Sequence, residues 1–221
     1  MKRAVVFDAG NTLIHLDAER IADDLRDAGH SIEVDRLARG EALARRDVSR
    51  FVAEGRSTEG LDVRQFYMRR ALFHSGIPID ASIEPVLASL ATRLATVEGV
   101  DHYWCRVIPG TREALLELRD TGWTLAVVSN SDGHIERRLD AAGLGGLFVT
   151  VVDSAIVGVE KPNPRIFTIA LEVIGVEPSR AIYVGDIFDV DVRGARAVGM
   201  EAILVDPVDA HRDLDVERIG S

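Results

Sequence analysis

Two different spacings of hydrophobic residues divide the chain. Residues 4–7 form a short apolar run that ends at Asp8, a pattern typical of a buried strand that enters a tight loop. From about residue 17 to 96 the apolar positions follow helical spacing, with charged faces between them and glycine and proline as punctuation. No strand is predicted in that stretch. The chain therefore begins with one strand and continues into a long helical segment.

A regular alternation of helices and short apolar strands follows Pro109. The pattern predicts helices near 110–121, 133–142, 164–174 and 190–198, and strands near 124–128, 148–152, 181–184 and 202–205. Short apolar strands separated by helices favour a parallel sheet covered on both faces. Ligands of such sheets bind at the carboxyl ends of the strands. Functional residues are therefore expected directly after each strand.

The helical segment interrupts the strand-and-helix pattern after its first strand. We predict an α/β protein with a Rossmann-like parallel-sheet core built from residues 1–14 and 106–221. Residues 15–105 are predicted to form an all-α domain inserted into the loop after the first strand, a type of site that tolerates insertions.

The composition narrows the classes of function. The chain has 221 residues, 47% of them hydrophobic, enough for a full core, and its net charge of -10 argues against binding nucleic acid. Cys105 is the single cysteine, so no disulfide can form within the chain, and a reducing compartment, the cytoplasm, is expected. The run 4–7 is too short for a signal peptide, and no run reaches the ~20 apolar residues of a membrane span. A soluble, unprocessed protein is expected.

Polar residues stand at the end of each predicted strand and before one helix. They comprise a carboxylate able to attack phosphorus, hydroxyl and amide groups, an ammonium group, and an acidic cluster able to hold a hard divalent cation. Together they suit phosphoryl transfer, in which cations and hydroxyls neutralise the charge on the phosphoryl oxygens. In chain order they are Asp8, Thr12, Ser129, Asn130, Lys161, Asp186, Asp189 and Asp191.

Each of these residues also has a structural interpretation. Asp8 alone could cap a helix or form a turn, and the three aspartates after residue 185 could cap a helix N-terminus. Three carboxylates within six residues repel one another without a counter-charge, which favours a metal. Lys161 is informative because the chain contains only two lysines, Lys2 and Lys161, among 26 basic residues. A lysine kept there suggests a need for a compact ammonium group.

Four segments in this order resemble the haloacid dehalogenase-like hydrolase superfamily, in the branch with a helical cap after the first motif. The segments are residues 6–13, residues 128–130, Lys161 with the following proline, and Gly185-Asp186 with Asp191. The resemblance covers the whole chain, and four motifs at strand ends are far more specific than one. It implies hydrolysis of a small phosphorylated metabolite.

The resemblance also implies a role for each matched residue. Asp8 would be the nucleophile, and Ser129 and Lys161 would hold the transferred phosphoryl group, with Thr12 and Asn130 beside them. Mg²⁺ would be bound by Asp8, Asp186 and the backbone carbonyl of Gly10. Asp191 would orient Lys161 or assist the metal, and the relative contributions of Asp189 and Asp191 stay open.

Gly10 departs from the phosphatase pattern. Phosphatases of this family usually carry a second aspartate there, which protonates the leaving alcohol and then activates water. Loss of a general acid/base costs about 10²- to 10⁴-fold in rate. Slow turnover of alkyl esters is expected, with acyl and aryl phosphates affected least. His15 or Asp17 could supply the proton instead, and Gly10 could hold a positive φ.

Three functions stay open. A phosphatase leads, and a carbon–halogen hydrolase is the alternative enzyme, although relatives of that type usually have tyrosine at the position of Gly10 and lack the Gly185-Asp186 motif. Phosphonate hydrolases of this family form a Schiff base through a lysine of the cap. Residues 15–105 contain no lysine, which nearly eliminates that function. The third possibility is a binding or regulatory protein with weak chemistry.

Paired arginines of the insert could clamp a second anionic group of a substrate, but it is more usual for such pairs to lie on solvated helix faces. These arginines are Arg45, Arg46, Arg69 and Arg70.

Overall fold

A computed structural model describes residues 3–58, 60–95 and 102–220. The strands are β1 (Arg3–Phe7), β2 (His15–Leu16), β3 (Trp104–Arg106), β4 (Trp123–Ser129), β5 (Thr150–Asp153), β6 (Ala181–Gly185), β7 (Glu201–Val205) and β8 (Glu217–Ile219). The α-helices are α1 (Ala18–Asp27), α2 (Val34–Ala53), α3 (Leu61–His74), α4 (Glu84–Thr92), α5 (Thr111–Asp120), α6 (Ile135–Ala141), α7 (Ser154–Val157), α8 (Pro164–Ile174) and α9 (Arg193–Ala197). The end of the predicted helical stretch, at Thr96, lies outside the described residues.

Six strands form one parallel sheet in the order β5-β4-β1-β6-β7-β8. The predicted α/β fold with a parallel sheet is confirmed. β1 lies inside the sheet between β4 and β6, so the residues that follow these three strands come close together in space. The edge strand β8 was not predicted, because a three-residue segment with exposed ends carries no clear apolar pattern.

Alternate residues of the central strands enter two different cores. Val6 packs in a cluster with Phe167 on one face, whereas Val5 and Phe7 pack with Leu139 on the other. Helices α8 and α9 cover the first face, and α5 and α6 cover the second. Because both faces are buried, the strands are continuous apolar runs rather than alternating ones.

The helix α8 shows how local sequence sets an element's bounds. Asn163 caps its N-terminus by accepting a hydrogen bond from the backbone N–H of Arg165 at 3.0 Å, and Pro164 occupies the first turn. Gly175 ends the helix with a φ of 65°, in the left-handed region that glycine adopts readily. These signals are strictly local, and the predicted range 164–174 matches the observed one.

Helices α1 to α4, here called the helical insert, have a hydrophobic cluster of their own that includes Leu25, Met68 and Leu87. At the base of the insert, β2 and β3 pair as an antiparallel ribbon, with His15 opposite Arg106. This ribbon was not predicted. Two residues of β2 are too few for a strand pattern, and their partner lies about ninety residues away. The domain boundaries at 14/15 and 105/106 stay a prediction.

The helical insert adjoins the carboxyl edge of the sheet. The Oγ of Ser49 in α2 donates a hydrogen bond to Asp189 Oδ2 at 2.8 Å, and the Asp189 N–H donates to the same Oγ at 2.9 Å. One turn earlier in α2, Arg46 forms an ion pair of 2.7 Å with Asp213. No helix in the described parts of the chain is long and apolar enough to cross a membrane.

Candidate active site

One cavity of about 250 Å³ lies between the carboxyl edge of the sheet and the helical insert. Asp8 enters it directly after β1, Ser129 at the end of β4, and Asp186 directly after β6. Lys161 reaches it from the loop before α8. The structure thus brings together residues that are up to 178 positions apart in the sequence, as expected for the ends of parallel strands.

The ammonium group of Lys161 lies at the centre of the site. Its Nζ donates hydrogen bonds to Asp8 Oδ1 at 2.6 Å, to Asp191 Oδ1 at 2.7 Å and to the Tyr183 hydroxyl at 3.0 Å. Lys161 is only 3% exposed. Burial alone would lower the pKa of Lys161, but the charges of Asp191 and Asp8 outweigh it and raise the pKa. Lys161 is therefore a permanent cation that bridges two carboxylates.

Asp8 is buried beside that cation. Burial raises the pKa of Asp8 to about 6, the Lys161 charge opposes the rise, and the Asp191 charge adds to it. The backbone N–H of Asp8 donates to the carbonyl oxygen of Val184 at 2.8 Å, which extends the pairing of β1 with β6 by one residue. The carboxylate is thus fixed at the sheet edge and poised to ionise near neutral pH.

Asp191 organises the loop after β6. Its Oδ2 accepts hydrogen bonds from the backbone N–H groups of Asp186 at 3.1 Å and Ile187 at 2.9 Å, while its Oδ1 binds Lys161. The Asp191 side chain leaves no space for a side chain at residue 185, since a Cβ on Gly185 would lie 2.5 Å from Asp191 Cγ. Glycine is required at this position because the carboxylate lies directly against its backbone.

The carboxylates of Asp8, Asp186 and Asp191 are all buried, and each offers an oxygen atom within 4.8 Å of those of the other two. Three converging carboxylates are the donor set that a hard cation such as Mg²⁺ prefers. Burial raises the pKa of Asp186 well above the usual range, and repulsion from Asp8 and Asp191 adds to the rise. The charge of Arg45 lowers this pKa but does not offset the rise. The residues present therefore fit a divalent cation.

Asp189 lies apart from the other aspartates. It accepts from Ser49 of α2 and forms an ion pair of 2.8 Å with Arg193, and it is absent from the acidic cluster found among the described residues. A π-helical turn, Phe188–Val192, points the carboxylates of Asp189 and Asp191 in different directions. Asp191 is thus the residue that joins the cluster, and Asp189 binds the insert.

Ser129 and Asn130 both line the cavity but differ in how their side chains are used. The amide of Asn130 donates to the Lys161 carbonyl at 2.9 Å, and its Oδ1 accepts from the Lys161 N–H at 2.7 Å. This pair of bonds holds the backbone that carries the lysine. The Ser129 hydroxyl has no hydrogen-bond partner among the described residues and is free to meet a ligand. Thr12 does not line the cavity, and its buried Oγ1 has no partner in the described chain.

The expectation of a positive φ at Gly10 is wrong, because Gly10 is not among the left-handed glycines; the left-handed residue of this loop is Asn11, with a φ of 55°. The indole of Trp104 covers the position instead. A Cβ at Gly10 would lie 3.4 Å from two ring carbons of Trp104. An aromatic ring from the ribbon thus occupies the space beside Gly10.

Neither alternative proton donor reaches the cavity. Asp17 caps α1 by accepting from the backbone N–H of Arg20 at 3.2 Å. His15 lies outside the cavity lining, and burial lowers its pKa to about 4, with the Arg45 charge adding to the effect. His15 is therefore neutral at pH 7 and has no proton to donate as an imidazolium.

The helical insert contributes a buried polar network to the cavity wall. Glu41 of α2 accepts hydrogen bonds from Asn11 Nδ2 at 3.1 Å, from Arg45 at 2.9 and 2.7 Å, and from the Tyr67 hydroxyl of α3. Asn11 also donates to Asp186 Oδ2 at 3.3 Å, and Arg45 Nε lies 3.6 Å from the same oxygen. The network joins the insert to the loops after β1 and β6.

The arginines of the insert separate into two groups. Arg45 is buried and lines the cavity, which corrects the expectation that it lies on a solvated face. The other three form ion pairs outside the cavity lining: Arg46 with Asp213, Arg69 with Glu84, and Arg70 with Asp47.

Several residues that line the cavity or bind its lining residues were missed from the sequence. Tyr183 is fully buried, and its hydroxyl donates to the Val128 carbonyl at 2.8 Å while it accepts from Lys161. A tyrosine within an apolar strand is a usable signal, because its buried hydroxyl must find a partner. Glu41, Tyr67 and Arg64 carried no such signal, since charged and aromatic residues are common on helix faces.

Comparison with known proteins agrees with this geometry. The family model for haloacid dehalogenase-like hydrolases matches residues 2–199. The chain is 34% identical over 208 residues to the human haloacid dehalogenase-like hydrolase domain-containing protein 3, covering 92% of this chain and 81% of that protein. It is 32% identical to a glyceraldehyde 3-phosphate phosphatase of Methanothermobacter thermautotrophicus over 225 residues, covering 100% of this chain and 93% of that one.

A solved structure also resembles the whole chain. The crystal structure of a haloacid dehalogenase-like (HAD) phosphatase from Thermococcus onnurineus is similar with a TM-score of 0.58 and 26% identity, covering 100% of this chain and 94% of that chain. The matching sheet, the acidic cluster around Lys161 and the extent of the family match lead to one conclusion: the chain belongs to the haloacid dehalogenase-like hydrolases.

Proposed function

We propose that the protein is a Mg²⁺-dependent phosphatase of a small phosphorylated metabolite, with Asp8 as the nucleophile. The observation that carries this proposal is the position of Lys161 between Asp8 and Asp191, with Asp186 completing the cluster. A carboxylate can attack an anionic phosphoryl group only where neighbouring positive charge offsets the repulsion. The phosphatase name of the relative from Methanothermobacter thermautotrophicus agrees with this chemistry.

Asp8 would attack phosphorus with its carboxylate oxygen. The bond between phosphorus and the ester oxygen breaks, the substrate alcohol leaves, and the phosphoryl group is held on Asp8 as an acyl phosphate. Water then attacks that phosphorus, which releases inorganic phosphate and restores the Asp8 carboxylate. Lys161 and the Ser129 hydroxyl, which both line the cavity, would hold the phosphoryl oxygens during both steps.

Asp8, Asp186 and the carbonyl oxygen of Gly10 would hold Mg²⁺, whose charge, when bound, offsets the negative charge of the substrate. Asp191 is already bonded to Lys161 and to two backbone N–H groups. Its main task in this proposal is therefore to position Lys161 and the loop that carries Asp186.

Gly10 limits which leaving groups depart quickly. Trp104 lies beside Gly10, and neither His15 nor Asp17, the two predicted proton donors, lines the cavity. The departing alkoxide would take its proton from water. Aryl and acyl phosphates need least assistance, so we expect them to be hydrolysed faster than alkyl phosphates.

The helical insert would act as the cap over the site, with residues 15–105 as its extent. Its Glu41 network and the bonds of Ser49 support this assignment, because they join α2 to the loops that carry the predicted site.

The exposed, free thiol of Cys105 agrees with a reducing compartment, and we assign the protein to the cytoplasm.

The test is hydrolysis of p-nitrophenyl phosphate by the wild type and by Asp8→Asn, each with Mg²⁺ and with a chelator. The aryl leaving group departs without a general acid, so the missing acid at Gly10 does not mask the chemistry. We expect turnover only in the wild type with Mg²⁺, and a loss of at least about 10³-fold in Asp8→Asn.

Asp27→Asn is a matched control, because Asp27 is an exposed carboxylate at the end of α1. It should turn over like the wild type. Metal-independent release of halide from a 2-haloacid that needs Asp8 would replace the proposal by carbon–halogen hydrolysis. Phosphate binding without turnover in any condition would replace it by a binding role.

A further inference from the structure

Arg64 differs from the other cations of the cavity wall. Lys161 is bridged by Asp8 and Asp191, and Arg45 is bound by Glu41 on two nitrogens. Arg138 forms an ion pair of 2.7 Å with Asp132. Arg64 lines the same cavity from α3, yet its guanidinium has no ion pair or hydrogen bond in the described chain.

The Nε of Arg64 is buried without an acceptor among the described residues. Arg45, which is 5% exposed, likewise has a buried Nη1 without a partner. A buried donor that has lost its water and gained no acceptor is unfavourable, so such groups normally face a ligand or an ordered solvent molecule. Two unsatisfied guanidinium donors in one cavity point to an acceptor with negative charge.

The position of Arg64 strengthens this interpretation. It lies one turn into α3, and Gly60, which precedes the helix and also lines the cavity, has no side chain to cap the first amides. The positive end of a helix dipole therefore adds to the Arg64 charge on this side of the cavity. The phosphoryl site, by contrast, lies at the sheet edge around Lys161. The cavity thus has the cluster around Lys161 on the core and a separate guanidinium without an acceptor among the described residues on the insert.

We infer that the substrate carries a second anionic group, a carboxylate or a second phosphate, that Arg64 binds while the scissile phosphoryl group lies at Asp8. This inference rests on the proposed function and names its substrate class. A guanidinium binds carboxylate and phosphate through two parallel hydrogen bonds, which makes Arg64 a specificity-determining residue. A cavity of about 250 Å³ has room for a backbone of a few carbon atoms between the two anions.

The experiment measures inhibition constants against p-nitrophenyl phosphate hydrolysis. The aryl leaving group of this substrate needs no general acid, so the glycine at position 10 does not affect the comparison. Two matched ligand pairs are used. 3-Phosphoglycerate and glycerol 3-phosphate differ by a carboxylate, and propane-1,3-diol bisphosphate and propyl phosphate differ by a second phosphate. Each is tested on the wild type, Arg64→Gln, Arg64→Lys and Arg69→Gln. Arg69 is the control because it lies on the same helix but pairs with Glu84 outside the cavity lining.

In at least one pair, we expect the ligand with two anionic groups to bind the wild type about 10- to 100-fold more tightly than the ligand with one. Arg64→Gln should abolish that preference, Arg64→Lys should keep part of it, and Arg69→Gln should leave it intact. For the ligands with one anionic group, the inhibition constant should change less than about threefold in Arg64→Gln. A general loss of structure would weaken the binding of both kinds of ligand alike. The pair with the larger preference identifies the second anion.

Equal inhibition within both pairs for the wild type would overturn the inference, and so would a preference that survives Arg64→Gln. These results are distinct from failure of the proposed function, which would appear as no Asp8-dependent hydrolysis of p-nitrophenyl phosphate. In that case, calorimetric titration of the wild type and Arg64→Gln with the same ligands still measures the preference for a second anion.

Discussion

The two walls of the cavity are built on different principles. On the core wall, Asp8, Lys161 and Asp191 form a compact set in which every charge has a partner supplied by the sheet or its loops. On the insert wall, Glu41 collects donors from three separate segments, and Arg64 has no acceptor among the described residues.

Under the proposed function, the difference separates chemistry from recognition. A phosphoryl group is the same in every substrate, so the groups that hold it can be fixed in advance by the sheet. The remainder of a substrate varies, and helices that border the site can change their exposed residues without disturbing the strands. Variants that act on one wall and spare the other can test this division.

The largest effect is expected from removing the central cation of the core wall. Lys161→Met leaves Asp8 and Asp191 buried without their shared counter-charge. We expect the free energy of unfolding to fall by about 3–5 kcal/mol. Turnover of p-nitrophenyl phosphate should fall by about 10²- to 10³-fold, as for loss of one oxyanion donor. Chemical denaturation and steady-state kinetics measure the two effects.

Lys161→Arg is the companion variant, because it keeps the positive charge and changes its shape. It should recover most of the stability but little of the turnover, since a planar guanidinium cannot take the place of a compact ammonium group. Full activity in Lys161→Met would show that the core wall does not depend on this cation.

A second variant breaks the junction of the two walls. Glu41→Gln removes the charge that Arg45 pairs with and places an amide N–H₂ among the donors of Asn11 and Tyr67. We expect a loss of about 2–4 kcal/mol in the free energy of unfolding. The released Arg45 should bind Asp186 more closely and so raise the Mg²⁺ concentration needed for half-maximal turnover.

Glu84→Gln serves as the control for Glu41→Gln. It removes the Arg69–Glu84 ion pair, whose members are both well exposed, and should change stability by less than about 1 kcal/mol. If the two glutamine variants behave alike, the network around Glu41 does not join the insert to the site.

Gly10→Asp sharpens the comparison by adding an acid where the ribbon meets the core wall. We expect kcat for an alkyl phosphate to rise about 10- to 100-fold, with little change for p-nitrophenyl phosphate. The backbone φ of Gly10 admits a side chain, and the Trp104 ring lies in van der Waals contact with the new Cβ.

Gly10→Asn, which has the same shape but no acid, should give no such rise. If Gly10→Asp fails alone but succeeds together with Trp104→Ala, the aromatic ring excludes the acid. No gain in either variant would show that leaving-group protonation does not limit turnover.

The smallest effect is expected within the insert, away from the cavity. Burial opposes ionisation of Asp47, but hydrogen bonds from His74 and Arg70, each at 2.6 Å, lower its pKa below the usual 3.8. Because the folded pKa lies below the unfolded one, this stabilisation is complete above about pH 4 and is lost as the pH falls through the folded value.

Asp47→Asn should therefore cost less than about 1 kcal/mol at pH 7 and flatten the loss of stability below pH 4. Thermal unfolding at a series of pH values measures it, with the exposed Asp27→Asn as the control. A wild-type and Asp47→Asn difference that stays constant down to pH 2 would contradict the assigned pKa shift.

Part of the fold and site could be predicted because the signals are local. The bounds of α8 follow from Asn163, Pro164 and Gly175 alone. Asp8, Ser129 and Asp186 follow apolar runs, and parallel strands place their carboxyl ends at one edge. Asp189 could not be distinguished from Asp191 in the same way, since a π-helical turn decides which carboxylate faces Lys161.

The sequence by itself determined the parallel sheet, the order of its strand-end residues, the absence of a carboxylate at Gly10 and the presence of one lysine among the strand-end residues. Each depends on hydrophobic period, on turn chemistry or on the presence of a residue type. Only the tertiary structure decided that Trp104 covers Gly10, that Glu41 gathers its donors and that Arg64 lacks an acceptor within the part of the chain that the structure describes. Such facts depend on contacts between distant helices and loops, and the packing of the whole chain sets those distances.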